Sequence, residues 1–202
     1  MNLRRKLAIL LAGMVASVLV LVAIRSPASA TEPNTASYRP LINYGSGKCL
    51  EPVGPNGHTE INGIPVQQRS CQLTRVQNWA FVSLGAIPFN GQPPWYCPWC
   101  DPLGAIGYHI VNLQTGQCLD ARDGATSDGS VVQQWPCQDH TARSMLWWVE
   151  TGEYPGGGLG TFKVVNFRSE LCLDVRSGSH DDGAQIQQYH CTSNNPAQNF
   201  FQ

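Results

Sequence analysis

Apolar and polar positions along this chain follow two regimes. From Leu7 to Ile24 the sequence is an uninterrupted run without charge. Beyond it, no stretch sustains the 3.6-residue apolar stripe of a packed helix, because Gly, Pro, Asn, Asp and Ser interrupt the apolar residues every few positions. Short apolar segments bounded by turn formers predict an all-β domain of many short strands.

The segments recur as a unit. Unit three, residues 171–202, reads LCLDVRSGSHDDGAQIQQYHCTSNNPAQNFFQ; unit two is GQCLDARDGATSDGSVVQQWPCQDHTARSMLWW, and a looser unit one is GKCLEPVGPNGHTEINGIPVQQRSCQLTRVQNWAF. In every copy eight residues separate a glycine from the second cysteine (Gly63 to Cys71, Gly129 to Cys137, Gly183 to Cys191), and a glutamine stands four after that glycine: Gln67, Gln133, Gln187. The cysteines are 19 apart in units two and three and 22 apart in unit one, so the extra residues precede the turn. Asn62-Gly63, Asp128-Gly129 and Asp182-Gly183 predict tight hairpin turns. One such unit cannot bury a hydrophobic face alone, whereas three close a common core about a pseudo-threefold axis. Trp79, Trp147 and Phe200, each following a second cysteine, are the candidates for that core, where burial at about 25 cal/mol per Å² is worth several kcal/mol per ring.

The charge-free run belongs to an export signal spanning 1–30: Arg4, Arg5 and Lys6 form its basic start, and Ala28-Ser29-Ala30 a small-residue cleavage site. Its 18 residues would reach across a bilayer if left uncut; the well-formed cleavage site favours removal, with an uncleaved anchor as the alternative. A polar leader, 31–38, then precedes one domain, 39–202, with units at about 41–82, 108–149 and 162–202. Removing Arg4, Arg5, Lys6 and Arg25 leaves nine basic residues against 14 acidic ones, a net charge near −5 without a basic cluster. Such a surface repels phosphate backbones, which argues against nucleic acid as a partner.

All eight cysteines follow the signal, which points to disulfides in an oxidising, extracellular compartment. The repeat narrows the pairings to one bridge within each unit: Cys49–Cys71, Cys118–Cys137 and Cys172–Cys191. Ser83 to Gly107 has no counterpart elsewhere; Pro88, Pro93, Pro94, Pro98 and Pro102 predict an inserted surface loop rather than a helix or central strand. Cys97 and Cys100 staple it, to each other or within its neighbourhood.

If the cysteines of unit three are bridged, their α-carbons lie roughly 5.5 Å apart. Asp174 shares the face of Cys172, and Gln187 and Tyr189 share that of Cys191, so Asp174 is expected opposite Tyr189. Asp120, Gln133 and Trp135 gather likewise in unit two. A carboxylate accepts hydrogen bonds from neighbouring hydroxyls, an amide donates and accepts, and a flat ring covers the C–H face of a pyranose: the trio suits a sugar. Unit one carries Glu51, Gln67 and Arg69, without a ring, and is expected to bind weakly or not at all.

The Cys-Leu-Asp start, the Gln-x-aromatic-x-Cys run and the Gln-x-aromatic close, three times over, resemble the ricin B-type β-trefoil lectins. The resemblance covers roughly 38–202 apart from the insertion. It implies a six-stranded barrel capped by three hairpins and sugar sites in the units, most often for galactose, or for xylan in some bacterial modules. Carried over by position, the sugar-binding acid falls on Asp120 and Asp174, the glutamine on Gln133 and Gln187, and the stacking ring on Trp135 and Tyr189. Where the family has an Asn-Gln pair before the closing aromatic, this chain has Val76-Gln77, Ser144-Met145 and Ala197-Gln198; Asn194 or Asn195 is the substitute available in unit three. Gln77 and Gln198 read as structural, bonded to backbone.

Other chemistry fares less well. Cys97-Pro98-Trp99-Cys100 lacks the helix start that activates a redox CxxC, and no second pair follows at zinc spacing. His58, His109, His140, His180 and His190 form no ligand pattern. Asp181-Asp182 is accounted for by its turn. The expectation is a secreted, non-catalytic carbohydrate-binding protein without cofactor or metal, without membrane insertion once the signal is cut, and with a protein partner possible through loop 88–102. A toxin-delivery or protein-interaction subunit, resembling the lectin-like outer subunits of cytolethal distending toxins, is the alternative. A stand-alone glycosidase would require an acid pair in a cleft.

Overall fold

Antiparallel pairing closes this chain into a barrel with three copies of one register. The computed structural model describes residues 37–54, 59–89, 104–139, 141–151 and 160–202, all within a unit running from Asn34 to Gln202. The export segment, leader residues 31–36, His58, His140, Cys97 and Cys100 lie outside the described residues.

The strands are β1 (Arg39–Pro40), β2 (Ile42–Asn43), β3 (Cys49–Pro52), β4 (Val66–Arg69) and β5 (Asn78–Ile87) in unit one. Unit two holds β6 (Ala105–Asn112), β7 (Cys118–Ala121), β8 (Ser130–Trp135) and β9 (Trp147–Thr151). Unit three holds β10 (Phe162–Asn166), β11 (Cys172–Val175), β12 (Ile186–Tyr189) and β13 (Phe200–Phe201).

The first strand of each unit meets the last strand of the preceding one: Asn43 pairs with Phe200, Asn112 with Trp79 and Asn166 with Trp147. Four residues earlier the same first strands meet the closing strand of their own unit, in Arg39–Trp79, Tyr108–Trp147 and Phe162–Phe200. These pairs join β1 and β2, which act as one interrupted strand, with β5, β6, β9, β10 and β13 in a closed ring. Hairpins β3–β4, β7–β8 and β11–β12 cap one end and pair with one another through Gln187–Val131, Gln133–Pro65 and Gln67–Gln185.

The interior repeats in four layers of three fully buried residues. They are Leu41, Ile110, Val164; Leu50, Leu119, Leu173; Val66, Val132, Ile186; and Trp79, Trp147, Phe200, as expected for the closing aromatics. Each aliphatic side chain contributes about 1.5–3 kcal/mol by leaving water. The indoles of Trp79 and Trp147 also need a hydrogen-bond acceptor when buried, and their Nε1 atoms donate to the Leu50 and Leu119 carbonyls at 2.9 Å. Phe200 has no N–H to satisfy.

Around this core runs a ring of buried amides. The side chains of Gln68, Gln134 and Gln188 are fully buried. Gln68 donates to the Ser179 and Asp181 carbonyls of unit three at 2.8 and 3.0 Å. Gln134 donates to Thr59 and Ile61 of unit one, and Gln188 to Ala125 of unit two. Their Oε1 atoms accept from Ser46, Thr115 and Ser169 hydroxyls at 2.7, 3.0 and 2.7 Å. Asn43, Asn112 and Asn166 do the same one layer away, donating to Ala197, Val76 and Ser144 carbonyls at 3.0, 2.7 and 2.8 Å. Every clasp runs from one unit to the unit before it, unit one reaching unit three.

The glycine turns serve the same seams, in a way that differs from a tight hairpin. Gly63, Gly129 and Gly183 have φ of 80°, 80° and 87°, but they end long connections, such as 122–129 between β7 and β8, rather than forming two-residue tips. The acid before the glycine caps a neighbour: Asp128 Oδ1 accepts the His190 N–H at 2.6 Å and Asp182 Oδ1 the Ser70 N–H at 2.8 Å. The matching position in unit two is Pro136, which has no N–H, and Asn62 there accepts from Gln117 Nε2 at 2.5 Å instead.

Two further expectations meet the structure at the edges. The bridges Cys49–Cys71, Cys118–Cys137 and Cys172–Cys191 are present, with Cα separations of 5.1, 5.0 and 5.1 Å. The insertion, however, is narrower than 83–107: Ser83 pairs with Tyr108, Ala86 with Ile106 and Ile87 with Ala105. Its prolines begin only at Pro88, so nothing before that position prevents a strand. This extension carries Ile87 and Phe89 onto a second apolar cluster with Trp148 and Phe167. Phe89 stacks on Phe167 at 5.6 Å and Trp148 meets Phe167 edge-on at 4.9 Å.

Replacing Gln188 with Ala removes one clasp and strands the carbonyl and hydroxyl it served. A loss of about 1–3 kcal/mol in unfolding free energy is expected by urea titration, with one cooperative transition retained.

Candidate functional site

Each hairpin sets an acid directly across from a glutamine. Asp120 pairs with Gln133, Asp174 with Gln187 and Glu51 with Gln67, while Cys118 faces Trp135 and Cys172 faces Tyr189. The ring therefore does not stand opposite the acid, as a bridge between directly facing residues would require. Cys137 and Cys191 lie two residues beyond Trp135 and Tyr189, past the ends of β8 and β12. The bridges thus run diagonally, and each ring sits two residues along from its acid–amide pair. All six expected sugar-binding residues nonetheless come together, three in each of units two and three.

In unit two the amide is held from both sides. Gln133 Nε2 donates to Asp120 Oδ2 at 2.8 Å, and Gln133 Oε1 accepts from Arg122 Nε at 2.7 Å. Arg122 Nη2 in turn donates to the Gly63 carbonyl at 2.7 Å, tying in the turn of unit one. That turn must be glycine on two counts: its φ is left-handed, and a Cβ there would sit 3.3 Å from the Trp135 ring. Asp120 is only 4% exposed, yet its Oδ1 has no hydrogen-bond partner. This oxygen's residue lines an open pocket with Gln133, half-buried Trp135, Asp123, Gly124, Gln138, Ser144 and Met145.

Met145 explains the orphan oxygen. In unit one the equivalent Gln77 donates to Glu51 Oε2 at 2.9 Å, and in unit three Gln198 stands in that place, donating to the His190 carbonyl at 2.9 Å and drawing the Asp174 carboxyl down. Methionine has no N–H to offer. Glu51 is fully engaged from within, since Gln67 reaches its Oε1 at 3.4 Å and Arg69 stands 3.7 Å from the same oxygen. Gln77 and Gln198 also bond backbone: their Oε1 atoms accept from the Gln72 and Thr192 N–H groups at 2.7 and 2.9 Å.

In unit three Gln187 Nε2 donates to Asp174 Oδ1 at 2.8 Å. Tyr189 is 36% exposed, and its ring lies 4.4 Å from that of His190. His190 Nδ1 pairs with Asp128 Oδ2 at 2.8 Å, so the unit-two turn steadies the unit-three ring.

Burial raises the Asp120 carboxyl above the ordinary carboxylate range; the Gln133 bond and nearby Ser144 pull it partly back, without Ser144 reaching Oδ1 in hydrogen-bonding geometry. Asp174 is raised for the same reason and drawn back by Gln187 and Gln198.

The contributions of Arg122, Asp123, Gly124, Gln138 and Ser144 were absent from the expected site. A signal existed: Arg-x-Gly follows Cys-Leu-Asp-x in units two and three but not in unit one. There Asp123 and Ser177 take φ of 56° and 58° ahead of Gly124 and Gly178, which turns the chain along the pocket rim. The histidine expectation also needs correction. His109, Cys118 and Cys137 place potential ligand atoms within 4.8 Å of one another, because Val111 faces Cys118 and His109 is two residues from Val111 on the same face. Strand register makes this grouping, and no local spacing announces it.

A family model for the ricin-type beta-trefoil lectin domain-like group matches residues 95–189 and 146–201. The chain belongs to that family. Among solved structures it is similar to the designed threefold-symmetric protein ThreeFoil, with 27% identity and a TM-score of 0.61 over 81% of this chain and 96% of that one. It is also similar to an exo-beta-1,3-galactanase from Clostridium thermocellum, with 25% identity and a TM-score of 0.62 over 84% of this chain but only 30% of the enzyme. A Macrolepiota procera ricin B-like lectin in complex with lactose shares the fold, with 13% identity and a TM-score of 0.56 over 85% of this chain and 97% of that one. No curated protein sequence matches the chain.

The raised Asp120 carboxyl has a consequence for stability. The fold holds its proton more tightly than the unfolded chain does, so Asp120's contribution is fullest while it is protonated and is lost as pH rises through its raised value. Asp120→Asn is therefore expected to melt at a higher temperature than the parent at neutral pH. The gap should close as pH falls toward about 4, the ordinary carboxylate range, in thermal melts across that interval.

Proposed function

We propose that this chain is a secreted, non-catalytic carbohydrate-binding protein whose principal site is the unit-two pocket, with a second site in unit three. The observation that carries the reading is the Asp120 carboxylate, held by Gln133 at 2.8 Å in the wall of an open pocket that Trp135 also lines. A carboxylate fixed beside a pocket accepts hydrogen bonds from ligand hydroxyls. Gln133 is pinned so that Asp120 keeps its rotamer, and Trp135 supplies a flat apolar surface beside it. Acceptor, fixed amide and ring match a pyranose with adjacent hydroxyls on one edge and C–H groups on one face. Galactose- or xylose-type sugars within a polymer fit this chemistry, and a galactanase and a lactose-bound lectin among the similar structures support the choice of class. Unit three offers the same trio, with Gln198 where unit two has Met145, and is expected to bind more weakly. Unit one, its Glu51 occupied by Gln67, Gln77 and Arg69, is closed.

Two modest sites on one chain act together on a polymer through effective concentration. Asp120→Ala is expected to weaken retention on an immobilised galactose- or xylose-containing polysaccharide by at least about tenfold, a loss of some 1.4 kcal/mol. Asp120→Ala with Asp174→Ala is expected to abolish it. Undiminished retention by the double variant, or release of reducing sugar from the polymer by the parent, refutes the reading.

A further inference from the structure

We infer that the Cys118–Cys137 bridge masks a metal site: opened by a dithiol reductant, the two thiolates and His109 bind a thiophilic dication such as Zn²⁺. This goes beyond carbohydrate binding and does not depend on it.

Two observations meet here. The ligand atoms of His109, Cys118 and Cys137 all lie within 4.8 Å of one another. Independently, His109 is 7% exposed and its Nε2 has no hydrogen-bond partner. Among the buried polar atoms without a partner, His109 Nε2 is the one whose residue also lies in a group of potential metal ligands. In the oxidised protein the sulfurs are committed to each other at 2.00 Å and ligate nothing.

The threefold fold supplies its own controls. Two residues before the partner of each first cysteine, the other units place Pro40 and Lys163. Pro40 has no ligand atom, and Lys163 Nζ donates to the Thr192 carbonyl at 2.9 Å. Among the described residues, only unit two sets an imidazole and both sulfurs of its bridge within ligand reach of one another.

The geometry permits closure. Sulfur and nitrogen ligands about 2.0–2.3 Å from a tetrahedral zinc stand about 3.3–3.8 Å from one another, so His109 is nearly in place and the sulfurs have only to part once the bridge is opened. Cys118 is fixed within β7, but Cys137 is exposed and lies past the end of β8, free of the strand ladder. Opening proceeds by thiol–disulfide exchange: the attacking dithiol is oxidised to a cyclic disulfide, and Cys118 and Cys137 are reduced to thiols. Zinc then displaces their two protons, His109 contributes a ring-nitrogen lone pair, and water from the Cys137 side fills the fourth position.

The test is differential alkylation of the full chain, reduced by a phosphine that does not chelate metal, with peptide mapping in the presence and absence of added Zn²⁺. Zn²⁺ is expected to slow iodoacetamide labelling of Cys118 and Cys137 at least about tenfold, and to leave Cys49, Cys71, Cys172 and Cys191 unprotected. His109→Ala is expected to abolish the protection while its oxidised form keeps the parent's circular dichroism. Co²⁺ in place of Zn²⁺ should show thiolate-to-metal charge-transfer absorption with one ion per chain. Equal labelling with and without Zn²⁺, protection that survives His109→Ala, or protection spread over all the bridges overturns the inference. Loss of folded signal on reduction followed by no protection does so as well, since the site requires β6 and β7 in register.

Discussion

The structure depends on buried amides that reach across seams. An apolar core of twelve positions in four layers says only that these residues leave water; it does not say which unit neighbours which. Gln68, Gln134 and Gln188, with Asn43, Asn112 and Asn166 beside them, carry that information. Each side chain is deeply buried and finds its acceptors on the preceding unit. A different arrangement of units would leave those amides unsatisfied, at a desolvation cost of about 1–3 kcal/mol for each stranded group. The hydrophobic layers drive collapse, and the clasps make the collapsed form unique.

The site is a local departure from that rule of satisfaction. The hairpin that puts a clasp glutamine at 134 puts Gln133 on the opposite face, against Asp120. Unit one shows what full internal satisfaction looks like: Glu51 is met by two glutamines and an arginine. Unit two exchanges the equivalent of Gln77 for Met145 and leaves one carboxylate oxygen unpaired at a pocket. One scaffold position thus decides whether the acid is met by a side-chain amide from the closing segment.

Much of this could be read from residue order, because repetition exposes it. The constant interval from glycine to second cysteine, the Gln-Gln pair and the closing aromatic locate the units, the bridges and the acid, amide and ring that each of the last two hairpins gathers, without coordinates. What order alone hid was register. A bridge between cysteines suggests that they face each other, whereas Cys172 faces Tyr189 and the acid faces Gln187, because Cys191 lies beyond the strand. Residues held in place by another unit were equally hidden. Arg122 acts on Gln133 while anchored to Gly63, and His109 meets Cys118 through Val111. The aspartates at 128 and 182 look like ordinary turn formers until the N–H groups they accept, on His190 and Ser70, come into view.

Pro136 gives the three seams unequal character. At two of them a turn carboxylate grips a main-chain amide directly; at the third the ring nitrogen of proline has no hydrogen, and the grip passes to the side-chain amide of half-buried Gln117. A molecule that looks evenly divided therefore has one joint, between its first and second lobes, whose turn side chain grips another side chain where the other two hold the main chain, and the Trp135 pocket lies along it.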